Sequence, residues 1–123
     1  MPYRFQADAH LIRVDAFGTF TRGDLFALLD ELQAAERTHK IVPDRITVLL
    51  DVIDWEVRSA DFRDIGATRK ATRFSNAFKS AMVAATPAQM GNARMFQLLN
   101  THPQIKFGMF ATVEAAFEWL RAI

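Results

Sequence analysis

Seven residues that can do chemistry fall in one short stretch: Asp51, Asp54, Trp55, Arg58, Ser59, Phe62 and Arg63. Asp51 and Asp54 close a run of apolar residues that reads as a strand. Ligands of open α/β sheets bind at the carboxyl ends of strands. Two carboxylates there suit a metal ion, acid–base work, loop capping or pairing with arginine. Nothing else in the sequence completes a metal set, so no metal or cofactor is assigned. Trp55 at that edge would close a pocket, meet a partner or seal the core. Ser59 reads as the start of a helix, where a phosphate would meet free N–H groups, with Arg58 and Arg63 near enough to pair with it. Asp61 would oppose such a phosphate, and serine is also an ordinary helix cap. Phe62, beside Trp55, would gate an apolar ligand. Arg58, Arg63, Arg69, Lys70 and Arg73 mark a basic helix surface, either solvated or facing an acidic partner.

Other chemistries are absent. The chain has no cysteine, which removes disulfides, thiol nucleophiles and thiolate metal sites. His10, His39 and His102 have no ligand-spaced neighbours. Phosphate loops, dinucleotide fingerprints, Gly-x-Ser-x-Gly elbows and zinc motifs are missing. A formal charge of +1 on 123 residues argues against nucleic-acid binding by bulk electrostatics. No secretory signal is visible, and no apolar run approaches the roughly 20 residues that span a bilayer. A soluble cytoplasmic protein is the expectation.

The elements that must position these residues follow from periodicity. Tyr3–Ala7 alternates as a strand, Asp8-Ala9 turns the chain, and a second strand runs from His10 to about Phe17, ended by Gly18. Thr21 caps a helix supported by Asp24, with Leu25, Leu28, Leu29 and Leu32 as its stripe and Asp30, Glu31, Gln33 and Glu36 mostly off it. It fades near Thr38-His39-Lys40, before Pro43. Arg45–Val52 is β-branched and apolar, a strand buried on both faces. Ile53–Arg58 shows no period. Ser59 opens a helix to about Phe74, with Phe62, Ile65 and Gly66 inward. Phe78–Ala85 is a strand. Thr86-Pro87-Ala88-Gln89 starts a helix to about Asn100, with Met95, Leu98 and Leu99 as buried candidates. Ile105–Ala111 is the last strand, and Thr112 caps a helix carrying Val113, Ala116, Phe117 and Leu120.

The order is β-β-α-β-α-β-α-β-α, one α/β domain over residues 1–123. It predicts a mixed sheet of about five strands, parallel except at the first, with about four helices. Half of the residues are hydrophobic, which leaves room for an apolar patch and a homodimer.

Three segments carry a resemblance: Gly18-Thr19-Phe20-Thr21 with the Leu-rich helix after it, Gly91-Asn92-Ala93-Arg94-Met95-Phe96-Gln97-Leu98-Leu99, and Phe110-Ala111-Thr112-Val113-Glu114-Ala115-Ala116-Phe117-Glu118-Trp119-Leu120. In this order they resemble the STAS domain of bacterial anti-sigma-factor antagonists, and more closely the SpoIIAA-like family of small stand-alone bacterial proteins. The fold is related to that of the CRAL-TRIO lipid carriers. The resemblance implies a non-enzymatic regulatory module that binds a protein partner, or alternatively a carrier or sensor of a small apolar, lipid-like ligand. Antagonists of this class carry a phosphorylatable serine in an Asp-Ser-Ser-Gly motif at the start of the second helix. Here Asp54-Trp55-Glu56-Val57-Arg58-Ser59-Ala60-Asp61 stands in that place. The motif is absent and Ser59 lies near the matching position.

Overall fold

The computed structural model describes residues 2–122. The strands are β1 (Tyr3–Ala7), β2 (Leu11–Thr21), β3 (Asp44–Glu56), β4 (Phe78–Val83) and β5 (Ile105–Phe110). The helices are α1 (Arg22–Thr38), α2 (Ser59–Lys70), α3 (Pro87–Gln97, continued by one 3-10 turn, Leu98–Asn100) and α4 (Val113–Arg121). The sheet runs β1-β2-β3-β4-β5, antiparallel only between β1 and β2. The alternation of elements therefore produces the mixed, mostly parallel sheet that the sequence predicts, with β3 at its centre.

Strands added one after another in the same direction place right-handed crossovers on one face. Leu25, Leu28 and Leu29 of α1, Phe62 of α2, and Ala93 and Phe96 of α3 accordingly share one core with Val14, Ala16, Leu49 and Met82 of the sheet. After β5 the chain turns to the other face, where Ala116 of α4 packs on Ile46, Val48, Ala81 and Val83. With both faces covered, β3 reads as an unbroken apolar run.

Local chemistry sets the joints. The Asp8 carboxylate accepts from the backbone N–H groups of His10 (2.7 Å) and Leu11 (2.9 Å), turning the hairpin. These two bonds hold Asp8 below the usual carboxylate range. At the head of α1, Thr21 Oγ1 accepts from Asp24 N–H (3.3 Å) and the Asp24 carboxylate from Thr21 N–H (2.8 Å). Thr86 and Thr112 cap α3 and α4 through Gln89 N–H and Ala115 N–H, both at 3.1 Å.

Several boundaries differ from the periodicity reading. Gly18 does not end β2; it takes φ +65°, open to glycine at no steric cost, and the strand continues to Thr21. β3 continues to Glu56 through the stretch without period, because Thr19, Phe20 and Thr21 pair with Asp54, Trp55 and Glu56. At α2 the capping position belongs to Arg58, with Ser59 as the first helical residue. The cap acceptor is Asp61, whose carboxylate takes Arg58 N–H at 3.3 Å. α2 stops at Lys70 rather than near Phe74. The Gln104 amide claims both Phe74 backbone groups, accepting from its N–H at 2.9 Å and donating to its carbonyl at 2.8 Å. Leu98 is exposed rather than buried.

Candidate functional site

The parallel strands place the heads of all four helices and the ends of β2 and β3 at one edge. β3 pairs with β4 only from Arg45 to Val48, while β2 accompanies it to Glu56. The two strands therefore extend past β4 as a ribbon. Along it β3 carries two extra residues, one between Val48 and Asp51 and one between Val52 and Asp54. The second is Ile53, a β-bulge residue that is 89% exposed. Bulges re-aim side chains and break the two-residue period. That is why Leu49 and Val52, three apart, both reach the same core.

Asp51 and Asp54 lie on either side of Ile53, both exposed. Asp54 Oδ1 accepts from the Trp55 backbone N–H at 2.9 Å. Trp55 is half-buried and turns inward. Its ring is stacked between Phe20 (5.2 Å between centroids, 15°) and Phe62 (5.9 Å, 6°), with Phe96 edge-on at 5.5 Å. Its Nε1–H is buried with no acceptor among the described residues, a cost of about 1–3 kcal/mol carried by the stack around it. Phe62 is fully buried in this cluster. Arg58 and Ser59 are exposed at the head of α2. Arg22 reaches across from α1 to Asp61, Nε to Oδ1 at 3.1 Å, tying the heads of the two helices together. Arg63 is exposed and turns to a different cleft, with Lys70 and Leu98.

A groove of about 350 Å³ separates the ribbon from the head of α3, lined by Val52 to Trp55 and by Thr86, Gln89 and Asn92. Gln89 fixes its width. Its Oε1 accepts from Ala85 and Thr86 N–H (3.0 and 3.2 Å), and its Nε2 donates to the Leu50 carbonyl on β3 (2.9 Å). The structure thus brings Asp51, Asp54, Arg58 and Ser59 to one edge. It assigns Trp55 and Phe62 to the aromatic floor beneath it and separates Arg63. The small cavity among Leu25, Leu28, Met82 and Phe96 holds about 30 Å³, room for about one water molecule.

At the amino edge lies a cluster that the periodicity reading placed elsewhere. Glu36 and Arg69 are buried, not surface residues. The Glu36 carboxylate accepts from Arg45 (Nη1 to Oε2, 2.9 Å) and, two-pronged, from Arg69 (Nη2 to Oε2, 2.8 Å; Nη1 to Oε1, 3.2 Å). Arg45 also donates to Ser80 Oγ (3.1 Å) and to Asn100 Oδ1, and Arg69 to the Leu99 carbonyl (3.3 Å). Burial pulls Arg45 down to about 10; Glu36 works against that fall and Arg69 adds to it. Both misplaced residues extend an apolar stripe: Glu36 follows Leu25, Leu29 and Leu32, and Arg69 follows Phe62 and Ile65. A charge on a stripe was the available signal, and Arg45 at the head of a buried strand its counterpart.

Among the described residues no group of three or more histidine, aspartate or glutamate side chains is placed to hold a metal ion. Nor is any helix long and apolar enough to cross a membrane.

Two solved structures share this architecture. One is an uncharacterized protein of the DUF3478 family with a SpoIIAA-like fold, from Shewanella loihica PV-4. It has a TM-score of 0.60 and 14% identity, over 96% of this chain and 91% of that one. The other is an anti-sigma factor antagonist from Mycobacterium paratuberculosis, with a TM-score of 0.61 and 16% identity, over 98% of this chain and 93% of that one. No family model matches the chain, and no curated protein sequence matches it. The fold is SpoIIAA-like, of the STAS type.

Proposed function

We propose that this chain is a non-enzymatic STAS-like regulatory module that binds a protein partner at the carboxyl edge of its sheet. The contact surface is the β2–β3 ribbon and the head of α2. The observation that carries the reading is Ile53. An isoleucine 89% exposed on a bulge, between two exposed carboxylates and two residues before the stacked Trp55, is poor packing for a free monomer. An apolar centre with a polar rim is the layout of a protein contact. The carboxylates favour a partner with basic residues around an apolar pocket. The mycobacterial neighbour, named as an anti-sigma factor antagonist, suggests an anti-sigma factor as the partner class.

Ser59, exposed at the first position of α2, is the residue through which this contact is regulated. A phosphate there adds negative charge beside Arg58 and against Asp61. The carrier alternative has little enclosed apolar room: the cavity between helices and sheet holds about 30 Å³, against the roughly 300–1,000 Å³ of pockets that hold small ligands. The larger groove beside Trp55 is lined by Asp54, Thr86, Gln89 and Asn92, polar company for an apolar ligand.

Affinity capture from host cells with wild type, Ile53→Glu and the exposed amino-edge control Lys106→Gln tests the reading. The expected result is one protein retained by wild type and control and bound at least about tenfold more weakly by Ile53→Glu. Equal retention by Ile53→Glu refutes the contact surface. Ser59→Asp is expected to shift the same affinity; if it does not, Ser59 does not regulate the contact.

A further inference from the structure

The amino-edge cluster opens onto solvent through a cleft of about 480 Å³ between the last turn of α1 and the segment that follows α2. Arg37, Lys40, Arg69 and Arg73 line it against the single carboxylate of Glu36. That carboxylate is already shared by two guanidiniums. Among the described residues Arg37, Lys40 and Arg73 make no ion pair. The whole chain carries only +1, so this surplus of positive charge is local, and a concave wall of one sign focuses its field.

The carbonyl ends of α1 and α2 point toward the same region and would oppose an anion. Some of these carbonyls are taken up internally. The Ala35 carbonyl lies 3.2 Å from His39 N and 2.8 Å from His39 Nδ1. Since a carbonyl only accepts, the ring proton sits on Nδ1. The Thr68 and Arg69 carbonyls accept from the N–H groups of Ala71 (3.3 Å) and Thr72 (3.0 Å).

The far wall is fixed in place. Ser75 Oγ donates to the Lys40 carbonyl (2.9 Å), and the Asn76 amide bonds Val42 N–H (2.7 Å) and the Val42 carbonyl (3.0 Å). Phe74 is held by Gln104 and packs on Phe78 and His102. The backbone of that wall is therefore held before anything binds, which lowers the ordering cost.

We propose that this cleft binds a small, multiply charged oxyanion, a phosphate or carboxylate compound, with any organic part against Phe74. A guanidinium fork can take two oxygens of either group at once, and the volume is that of a small-molecule site. The proposal is independent of the carboxyl-edge contact, since the cleft lies between the end of α1 and the segment after α2, at the opposite edge of the sheet.

Titration calorimetry with inorganic pyrophosphate and with citrate, alongside amide NMR, tests it. The expected result is one-to-one binding of at least one probe, with shifts centred on Lys40, Phe74 and Ser75. Affinity should weaken about tenfold or more in Lys40→Gln/Arg73→Gln. The tighter probe tells a phosphate ligand from a carboxylate one. Arg63→Gln/Lys70→Gln makes the same charge change at another cleft and is expected to bind as wild type. Should Lys40→Gln/Arg73→Gln misfold, Arg37→Gln/Arg73→Gln replaces it. Absence of binding by both probes, or equal weakening by the control pair, overturns the assignment.

Discussion

Glu36→Gln is the sharpest test of the buried charge network. The side chains of Glu36, Arg45 and Arg69 are 5%, 4% and 3% exposed, so water screens them little. One carboxylate between two guanidiniums leaves one buried positive charge in excess; glutamine raises that to two. Breaking a buried pair from one side costs about 3–5 kcal/mol. Glutamine keeps the shape and one acceptor, which favours the lower end, about 3 kcal/mol. Native domains are stable by about 5–15 kcal/mol, so the variant should still fold. In urea, with a slope of about 1–3 kcal/mol/M, the midpoint should fall by about 1–3 M. Arg45→Met is the counter-experiment. It gives up the bonds to Ser80 and Asn100, at about 1–3 kcal/mol each. It also removes the excess charge and leaves Glu36 and Arg69 as a matched pair. Its loss should therefore come from those two bonds and not from unbalanced charge. A loss below about 1 kcal/mol for Glu36→Gln refutes the charge-balance reasoning.

Three further outcomes follow from single positions. Tyr3, the only tyrosine, is buried and donates to Glu31 at 2.5 Å. Burial first, then that bond and the neighbouring carboxylates, raise its pKa. The folded state therefore keeps the proton longer, and the stability Tyr3 contributes is complete below about pH 10 and lost above it. Urea melts should show the gap between wild type and Tyr3→Phe closing above that pH, and tyrosinate absorbance rising at pH 10 in the folded protein would contradict this. Gly66→Ala would place a Cβ 2.5 Å from the Leu98 carbonyl oxygen. An unfolding free energy lowered by about 1–3 kcal/mol in urea melts is expected, despite alanine's better helix propensity, and a neutral result would deny that close approach. At Gly18 an added Cβ meets nothing within 4 Å, so Gly18→Ala should show only the cost of φ +65°, about 1–2 kcal/mol by the same assay.

The fold was legible because its signals are local and repeated. Thr21, Thr86 and Thr112 each cap the helix the sequence assigns to them, and the apolar run after Arg45 is the central strand. What could not be read depended on pairing across the sheet. A bulge leaves no mark in one strand's sequence except a broken period, and the same broken period also describes a loop. Thr19, Phe20 and Thr21 favour a strand on their own, but only their partners on β3 show that the ribbon continues. The end of α2 was misread for a similar reason. Gln104, far along the chain, supplies the bonds that stop it.

Ile53 and the Glu36–Arg45–Arg69 cluster break local rules in opposite ways. One exposes an apolar side chain, and the other buries charge on an apolar stripe. Sequences agree with their folds at nearly every level, and departures concentrate where something besides folding is selected. A buried ion cluster could be a structural device alone, since such clusters add little stability over an apolar core. That account would be satisfied by a matched pair sealed from solvent. Here the pairing is two to one, and three more cations face the same cleft without ion-pair partners among the described residues. Fold stability does not ask for that surplus; mutual repulsion among those cations works against it. The surplus is compensated when an anion enters. On that reasoning pyrophosphate or citrate should raise the melting temperature of wild type, and should do so much less in Lys40→Gln/Arg73→Gln, whose unliganded stability should equal or exceed the parent's. An unliganded variant clearly less stable than wild type would mean that the cations serve the fold after all.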